Sequence, residues 1–171
     1  MLDSLPLPHP LPVRDGDGRL RRAAADDADA IIALLADDLI SASRGDSVSV
    51  DDRPAYAAAL GEVIGDPSND LLVVESAGAI VGTFQLTLIP GMSRRGSRRL
   101  LVEAVRVRAD QRSAGLGSAM MRWVTDVAAP GLGASIVQLT SDAARTDAHR
   151  FYERLGFTGS HRGFKFTVAP R

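Results

Sequence analysis

One stretch constrains the fold more than any other, because a strand pattern runs there into a glycine-bearing turn and then into a helix. From residue 102 to residue 108 apolar and polar side chains alternate, which is typical of a half-buried strand. The residues that follow are small and include Gly115 and Gly117, and a helical pattern comes next. Free N–H groups at a helix start, together with the helix dipole, favour an anion. The stretch therefore predicts a site for a phosphorylated cofactor.

The spacing of the glycines narrows the choice of cofactor. A P-loop is excluded because Lys165, the only lysine, follows no loop of the form G-x-x-x-x-G-K-[ST]. The dinucleotide pattern G-x-G-x-x-G is nearly met from Gly115, but Met120 stands where a third small residue should be. The pattern present is Arg112-x-x-Gly115-x-Gly117 after a strand. It resembles the pyrophosphate motif of the GCN5-related N-acetyltransferases, Gln/Arg-x-x-Gly-x-Gly/Ala.

Composition excludes several classes of site. The 171 residues contain no cysteine, which removes disulfides, thiolate metal sites and a cysteine nucleophile. Three widely spaced histidines match no metal-ligand pattern, so we expect no metal. A net charge of −1 argues against a nucleic-acid partner, and the absence of a long apolar run argues against a membrane span. The expected location is cytoplasmic.

Periodicity and turn residues predict the order of elements. The first eighteen residues carry four prolines and no signal-peptide pattern, so we expect a flexible Pro-rich arm at 1–18 and one domain at 19–171. The elements expected in that domain are a strand at 19–24, a helix capped by Asp26, a loop at 41–50, a helix capped by Asp51 or Asp52 and stopped at Gly65, strands at 71–75, 79–89 and 97–108, a helix at 115–129, a strand at 134–140, a helix at 146–155, and short strands at 157–158 and 164–168.

The connections between these elements predict the sheet. Three strands joined by short turns form an antiparallel meander, and the strand–helix–strand run from 97 to 140 forms a βαβ unit with parallel strands. The expected class is therefore α/β (α+β), with a mixed central sheet flanked by helices.

A second motif strengthens the resemblance to the GCN5-related N-acetyltransferases (GNAT family). The helix at 146–155 carries Ala148-x-x-Phe-Tyr-Glu-Arg-Leu-Gly-Phe157, which is typical of that family about thirty residues after the phosphate loop. The resemblance covers roughly residues 19 to 168. It implies the GNAT fold, acetyl-CoA as co-substrate, and transfer of an acetyl group to a primary amine by direct transfer in a ternary complex. The acceptor would be a small molecule or a peptide, and a homodimer is compatible because dimers are common in the family.

The resemblance also implies roles for individual residues. Glu103 matches a general base of the family, and Tyr152 matches a general acid that protonates the CoA thiolate. The implied cofactor contacts are Val105, Arg106 and Val107 on the strand, Arg112, Ser113, Ala114, Gly115, Leu116, Gly117 and Ser118 in the phosphate loop, and Arg145, Ala148 and Tyr152 at the following helix. Ser113 and Ala114 replace a frequent Gly-Lys pair, and Arg145 replaces a frequent asparagine.

Each of these assignments has an alternative. Glu103 could be an exposed carboxylate paired with an arginine, and Tyr152 could pack its ring in the core. The cluster Arg94, Arg95, Arg98 and Arg99 is either a solvated loop or a selector of an acidic acceptor, and His161 lies in a loop that can reach the acceptor.

Two other function classes stay open at this point. One is a non-catalytic acyl-CoA-binding sensor on the same fold. The other is a nucleotide-binding oxidoreductase in which Asp142 holds a ribose. No loop motif identifies the acceptor amine.

Overall fold

The computed structural model of the chain describes residues 2–14, 16–37 and 48–168. The chain divides into two compact units, Met1–Leu139 and Thr140–Arg171. The first unit contains a six-stranded sheet with helices on both of its faces, and the second contains a single helix. Of the loop expected at 41–50, residues 41–47 lie outside the described part of the chain.

The sheet has the expected mixed topology. Its spatial order is β1-β2-β3-β4-β5-β6, with antiparallel neighbours from β1 to β5 and a parallel β5–β6 pair. The strands are β1 His9–Val13, β2 Gly16–Arg22, β3 Asn69–Ser76, β4 Ala79–Ile89, β5 Arg98–Val107 and β6 Ala134–Leu139. The predicted meander and the predicted parallel βαβ unit are both confirmed.

Among the described residues, the first unit has three helices of eight or more residues and the second unit has one. They are α1 Ala28–Ala36, α2 Arg53–Gly65, α3 Leu116–Trp123 and, in the second unit, α4 Thr146–Arg154. Helix α3 continues through a π-helical turn at Val124–Ala128 and a last turn at Ala129–Gly131, so it runs two residues beyond the predicted end. Pro130 is tolerated there because it lies at the start of that last turn.

Alternation along β4 shows how the helices cover the sheet. The Phe84 ring faces α3, where its centroid lies 6.3 Å from that of Trp123. The neighbouring Thr83 therefore faces the opposite side, toward α1 and α2. On that side a core cluster joins both helices to β3, with Ile31, Leu60 and Val73 among its buried members. The sheet thus lies between α3 on one face and the α1–α2 pair on the other.

The first eighteen residues differ from the predicted flexible arm. Residues 9–13 form β1, which pairs with β2 over five residues, and Leu11 and Val13 are buried. The prolines of this segment suggested an unpaired chain, but Pro10 and Pro12 lie two residues apart on an edge strand, where both missing N–H groups fall on the same side of the strand. Gly18 completes the hairpin, because a Cβ there would lie 2.6 Å from Val13.

The predicted C-terminal strands are wrong for the described residues. Residues 157–158 and 164–168 form no ladder with another strand of the described chain. Phe164 and Phe166 are 89% and 90% exposed. Their alternation with polar residues is a strand signal, but β-propensity measures packing against neighbours and does not by itself create a strand.

The start of the first helix is shifted from the predicted cap. A 3-10 turn at Ala25–Asp27 precedes α1, so Asp27 rather than Asp26 stands at the N-cap position of α1, where its side chain makes no cap hydrogen bond. The Asp27 carboxylate instead accepts a hydrogen bond from the Ala24 N–H at 2.8 Å, which closes the 3-10 turn. The same carboxylate accepts two hydrogen bonds from Arg21, the shorter at 2.6 Å. The Arg21 hydrogen bonds lower the pKa of Asp27, because they favour the charged carboxylate.

Candidate active site

Strand β5 is interrupted by a β-bulge at its centre. Ala104 has a φ of +50°, and the register with β4 passes from Gln85↔Glu103 to Thr83↔Arg106. Two residues of β5 therefore lie opposite a single residue of β4, which bends the strand and re-aims the side chains after it. No sequence signal marked Ala104, because alanine is an uncommon residue at positive φ.

The same strand separates from β6 next to the bulge. The parallel ladder between β5 and β6 ends at Val102↔Leu139, whereas the ladder between β5 and β4 continues to Val107. The Arg108 N–H donates to Val81 of β4, so by strand alternation the backbone groups of Val105 and Val107 point away from β4. Within the described part of the first unit, these two residues form an edge that can bind an extended ligand.

Arg106 occupies a different position from its two neighbours. Its backbone lies on the β4 side of the strand, opposite Thr83, so only Val105 and Val107 of the three predicted residues direct backbone groups to the free edge. The Arg106 guanidinium donates to the Val105 carbonyl at 2.9 Å.

The turn from β5 into α3 has the backbone of an anion site. Ser113 and Gly115 both have positive φ, +62° and +91°, and α3 begins directly after Gly115. Left-handed residues before a helix turn successive N–H groups to one side, and this forms a concave nest for an anion. The Ala119 N–H donates to Gly115, so the amides of residues 116–118 precede the first intrahelical bond. A phosphate fits here without a lysine contact.

The Arg112 side chain lies beside this turn and holds its own partners. Its Nε donates to the Val107 carbonyl at 3.0 Å, and a terminal nitrogen donates to the Asp37 carboxylate at 2.8 Å. Arg112 therefore ties the turn to the end of β5 and to the end of α1. The predicted contact between Arg112 and a phosphate stays a prediction.

Arg14 connects the N-terminal hairpin to the same turn, which the sequence did not suggest. Its Nε donates to the Asp110 carbonyl at 2.7 Å and a terminal nitrogen donates to the Arg112 carbonyl at 2.9 Å. Its backbone N–H donates to Gln111, which is only 6% exposed. Three hydrogen bonds thus anchor the residues that lead into the phosphate loop. Because these contacts join residues almost a hundred positions apart, no local sequence pattern predicts them.

Glu103 lies on the α1–α2 face of the sheet, directly before the bulge. It pairs across the strands with Gln85, so the two side chains share one face. Glu103 is exposed, and no arginine within the described residues forms an ion pair with its carboxylate. The alternative of an arginine-paired strand carboxylate therefore finds no support.

The second unit holds the other predicted catalytic residue. Tyr152 lies near the end of α4, where its ring packs edge-on against Phe151 and Phe157 at centroid distances of 5.1 and 5.8 Å. The Tyr152 carbonyl accepts the Phe157 N–H, and Gly156 has the expected positive φ after the helix. These contacts hold the Tyr152 ring against Phe151 and Phe157 at the end of α4.

The start of α4 is organised by Asp142. Its carbonyl accepts the Arg145 N–H and lies 2.8 Å from His149 Nε2, and its carboxylate accepts the Ala144 N–H. Arg145 is the residue before the first turn of α4, and Ala148 lies within that turn. Because its carboxylate and its carbonyl accept backbone N–H groups from the residues just before α4, Asp142 has a local structural role.

Three of the residues predicted to contact the acceptor form hydrogen bonds within the protein. Arg98 donates to the Leu132 carbonyl and Arg99 to the Gln138 side chain, each at 3.2 Å, so both reach toward the β6 side of the first unit. Arg94 and Arg95 lie in the exposed turn Ser93–Gly96. His161, in the second unit, contacts the hydroxyl of its neighbour Ser160 at 2.7 Å.

Two other kinds of feature are absent from the described residues. No group of three or more potential metal ligands comes together within the described ranges. No helix in the part of the chain that the structure describes has the length and apolar character needed to cross a membrane.

The sequence is similar to those of known proteins. A model of the acetyltransferase (GNAT) family matches residues 31–157. Aminoalkylphosphonate N-acetyltransferase from Salmonella typhimurium is 28% identical over 150 residues, which cover 88% of this chain and 90% of that protein.

Solved structures show the same similarity. A transcriptional regulator from Bacillus halodurans C-125 superposes with a TM-score of 0.82 and 35% identity, covering 87% of this chain and 98% of that one. Glucosamine-6-phosphate N-acetyltransferase from Arabidopsis thaliana shares the fold, with a TM-score of 0.70 and 19% identity over 89% of this chain and 99% of that one.

Proposed function

The chain belongs to the acetyltransferase (GNAT) family, and we propose that it moves an acetyl group from acetyl-CoA to a primary amine by direct transfer in a ternary complex. The observation that carries the proposal is the edge of β5, which loses its β6 partner at Val102 and leads through a left-handed turn into α3. Family members use acetyl-CoA, and this strand-and-turn arrangement suits a ligand with an extended arm and a pyrophosphate.

The backbone supplies most of the proposed cofactor contacts. The amides of residues 116–118 and the turn at Ser113 to Gly115 hold the pyrophosphate, since both the nest and the helix dipole favour a negative charge. Val105 and Val107 bind the extended arm and donate to the carbonyl that takes up negative charge during transfer. Acetyl-CoA supplies the acetyl group as a thioester. We further propose that Arg145 and Ala148 line the arm where α4 begins.

Two side chains move protons in this proposal. An alkylammonium has a pKa near about 10, so the acceptor is mostly protonated at neutral pH and must lose a proton before it can attack. Glu103 accepts that proton, directly or through a water, and Tyr152 donates its hydroxyl proton to the departing thiolate. Because the sequence contains no cysteine, no acyl-cysteine intermediate can form, which is consistent with the direct transfer proposed.

A second candidate function has one observation in its favour. The Bacillus halodurans structure carries the name of a transcriptional regulator, which suits a non-catalytic acyl-CoA-binding sensor. An exposed Glu103 that has no arginine partner among the described residues, and a tyrosine at the end of α4, suit catalysis better, because a pure binding protein needs neither residue.

Ligand binding and turnover together test the proposed function. Acetyl-CoA at about a hundred times its Kd should stabilise the protein by about 2.7 kcal/mol, which raises the Tm by roughly 5–10 °C for a chain of this size. NAD and ATP serve as controls and should shift the Tm much less. Release of CoA with a panel of primary amines then separates an enzyme from a sensor. A shift with NAD and none with acetyl-CoA contradicts the proposal.

Replacing Arg14 tests whether the N-terminal hairpin supports the phosphate loop. Arg14→Ala removes two side-chain hydrogen bonds to residues 110 and 112, and we expect the Kd for acetyl-CoA to rise about fivefold to tenfold. The kcat at saturating acetyl-CoA should change much less, because no reacting group is removed. Calorimetric titration measures the Kd, and Arg19→Ala, an exposed arginine on the same hairpin, is the control. Equal affinities in the two variants would show that Arg14 has no such role.

A further inference from the structure

A small apolar cavity lies beside the bulge of β5, between the sheet and the α1–α2 pair. Its volume is about 130 Å³, and its walls come from α1, α2, β3, β4 and Ala104 of the bulge. Of the twelve described residues that line it, nine are apolar and none carries a charge. The apolar wall includes Ile31, Ile32, Leu35 and Val63.

The polar groups on the sheet side of the cavity are already hydrogen-bonded within the protein. The Thr83 hydroxyl donates to the Leu72 carbonyl at 2.9 Å, and the Gln85 amide donates to the Asn69 side chain at 3.0 Å. These bonds direct the Thr83 hydroxyl and one N–H of the Gln85 amide toward groups of the sheet. The cavity is therefore suited to an apolar group and poorly suited to a charged one, since a buried charge without a partner is costly.

The position of the cavity relates it to the proposed reaction. Ala104 lines it, and Glu103 is the preceding residue, on the same face of the sheet as Gln85. A group held in the cavity would keep an attached amine close to the strand that carries the proposed base. The proposed function thus gives the cavity a ligand, namely the side group of the acceptor.

Resting on that proposed function, we infer that the acceptor is a primary amine with a compact, uncharged apolar side group that enters this cavity. A cavity of about 150 Å³ lined by aliphatic residues is known to take a benzene molecule, which sets the size of the group. A ring or a branched alkyl chain one or two carbons from the nitrogen meets that limit.

Arg98 and Arg99, the two arginines of the predicted acceptor cluster that lie on β5, are directed away from the cavity. Arg99 precedes Ala104 by five residues on β5, which corresponds to about 17 Å along a strand. Both Arg98 and Arg99 donate to partners on the β6 side. An aminoalkylphosphonate, the substrate class in the name of the Salmonella relative, would bring its charge to a cavity that has no charged residue among its described lining. We therefore expect an acceptor class different from the one in that relative's name.

A pair of neighbouring alanines on α2 tests the inference. Both alanines are exposed, but Ala59 lines the cavity and Ala58 does not. The kcat/KM values for 2-phenylethylamine, ethylamine and 2-aminoethylphosphonate should be measured for the wild type, Ala59→Leu and Ala58→Leu. In the wild type we expect 2-phenylethylamine to be preferred over both others by about tenfold or more. Ala59→Leu should reduce its preference over ethylamine by about tenfold, and Ala58→Leu should leave that ratio within about twofold.

The outcomes separate this inference from the proposed function. If amines are acetylated but Ala59→Leu only raises the Tm and leaves the ratio unchanged, the cavity is a packing defect and the inference is wrong. A preference for 2-aminoethylphosphonate also overturns it. If no amine is acetylated, the proposed function fails, and calorimetric titration of 2-phenylethylamine into the wild type and both variants decides the cavity alone. Binding that only Ala59→Leu weakens supports the apolar site, and no binding overturns it.

Discussion

Glu103→Gln is expected to lower kcat/KM for acetyl transfer by about 10²–10⁴-fold near neutral pH. At that pH roughly one amine in a thousand is unprotonated, so a base that removes the proton has its largest effect. Glutamine keeps the size and hydrogen-bonding capacity of the side chain but cannot accept the proton. The Glu103 side chain is exposed on the strand, so the fold should tolerate the change.

The pH profile distinguishes a base from a structural residue. As the pH rises toward about 10, free amine becomes abundant and the activity of Glu103→Gln should approach that of the wild type. Glu62→Gln, at an exposed position of α2, is the matched control and should retain full activity. The Kd for acetyl-CoA, measured by titration, should stay the same in both variants. A loss that is equal at every pH would remove Glu103 from the role of base.

Tyr152→Phe should lower kcat by about 10²–10⁴-fold, because a general acid contributes an effect of that size. The substitution removes one hydroxyl and keeps the ring, so the edge-on contacts with Phe151 and Phe157 should persist. We therefore expect the Tm and the Kd for acetyl-CoA to change little. Steady-state kinetics with saturating acetyl-CoA measures the effect on kcat.

The behaviour of the leaving group checks the role of Tyr152. An acetyl donor whose thiol is more acidic than that of CoA needs less help to depart, so the difference between Tyr152→Phe and the wild type should shrink with that donor. Phe151→Leu, which perturbs the aromatic packing but leaves the hydroxyl, serves as the comparison for a packing effect. Unchanged turnover in Tyr152→Phe would exclude the acid role.

The order of elements could be predicted because each depends on neighbouring residues. Alternation predicted β3, β4 and β5, and the small residues around Gly115 predicted the turn into α3. Helix α4 runs from Thr146 to Arg154 with Gly156 behind it, within one residue of the expectation. These features require no knowledge of the rest of the chain, since propensity, capping and turn geometry act over a few residues.

The errors occurred where pairing decides the structure. The segment 1–18 has the composition of a flexible arm, yet residues 9–13 pair with β2 because the edge of a sheet accepts prolines that an inner strand would not. Residues 164–168 alternate as a strand does, yet no ladder within the described residues includes them. In both segments the outcome depends on a partner that lies far away in sequence.

The features of the candidate site also fall into those that nearby residues predict and those that depend on distant segments. From sequence alone came the phosphate turn with Gly115, the candidates Glu103 and Tyr152, and the family itself, because motifs are spacings between nearby residues. Only the tertiary structure revealed the bulge at Ala104, the three hydrogen bonds from Arg14, and the largely apolar cavity between the sheet and the α1–α2 pair. A bulge is a mismatch between two strands, an anchoring arginine needs a carbonyl almost a hundred residues away, and a cavity is the space that several elements fail to fill. Each is a relation between distant segments, so chain folding has to bring them together before the relation exists.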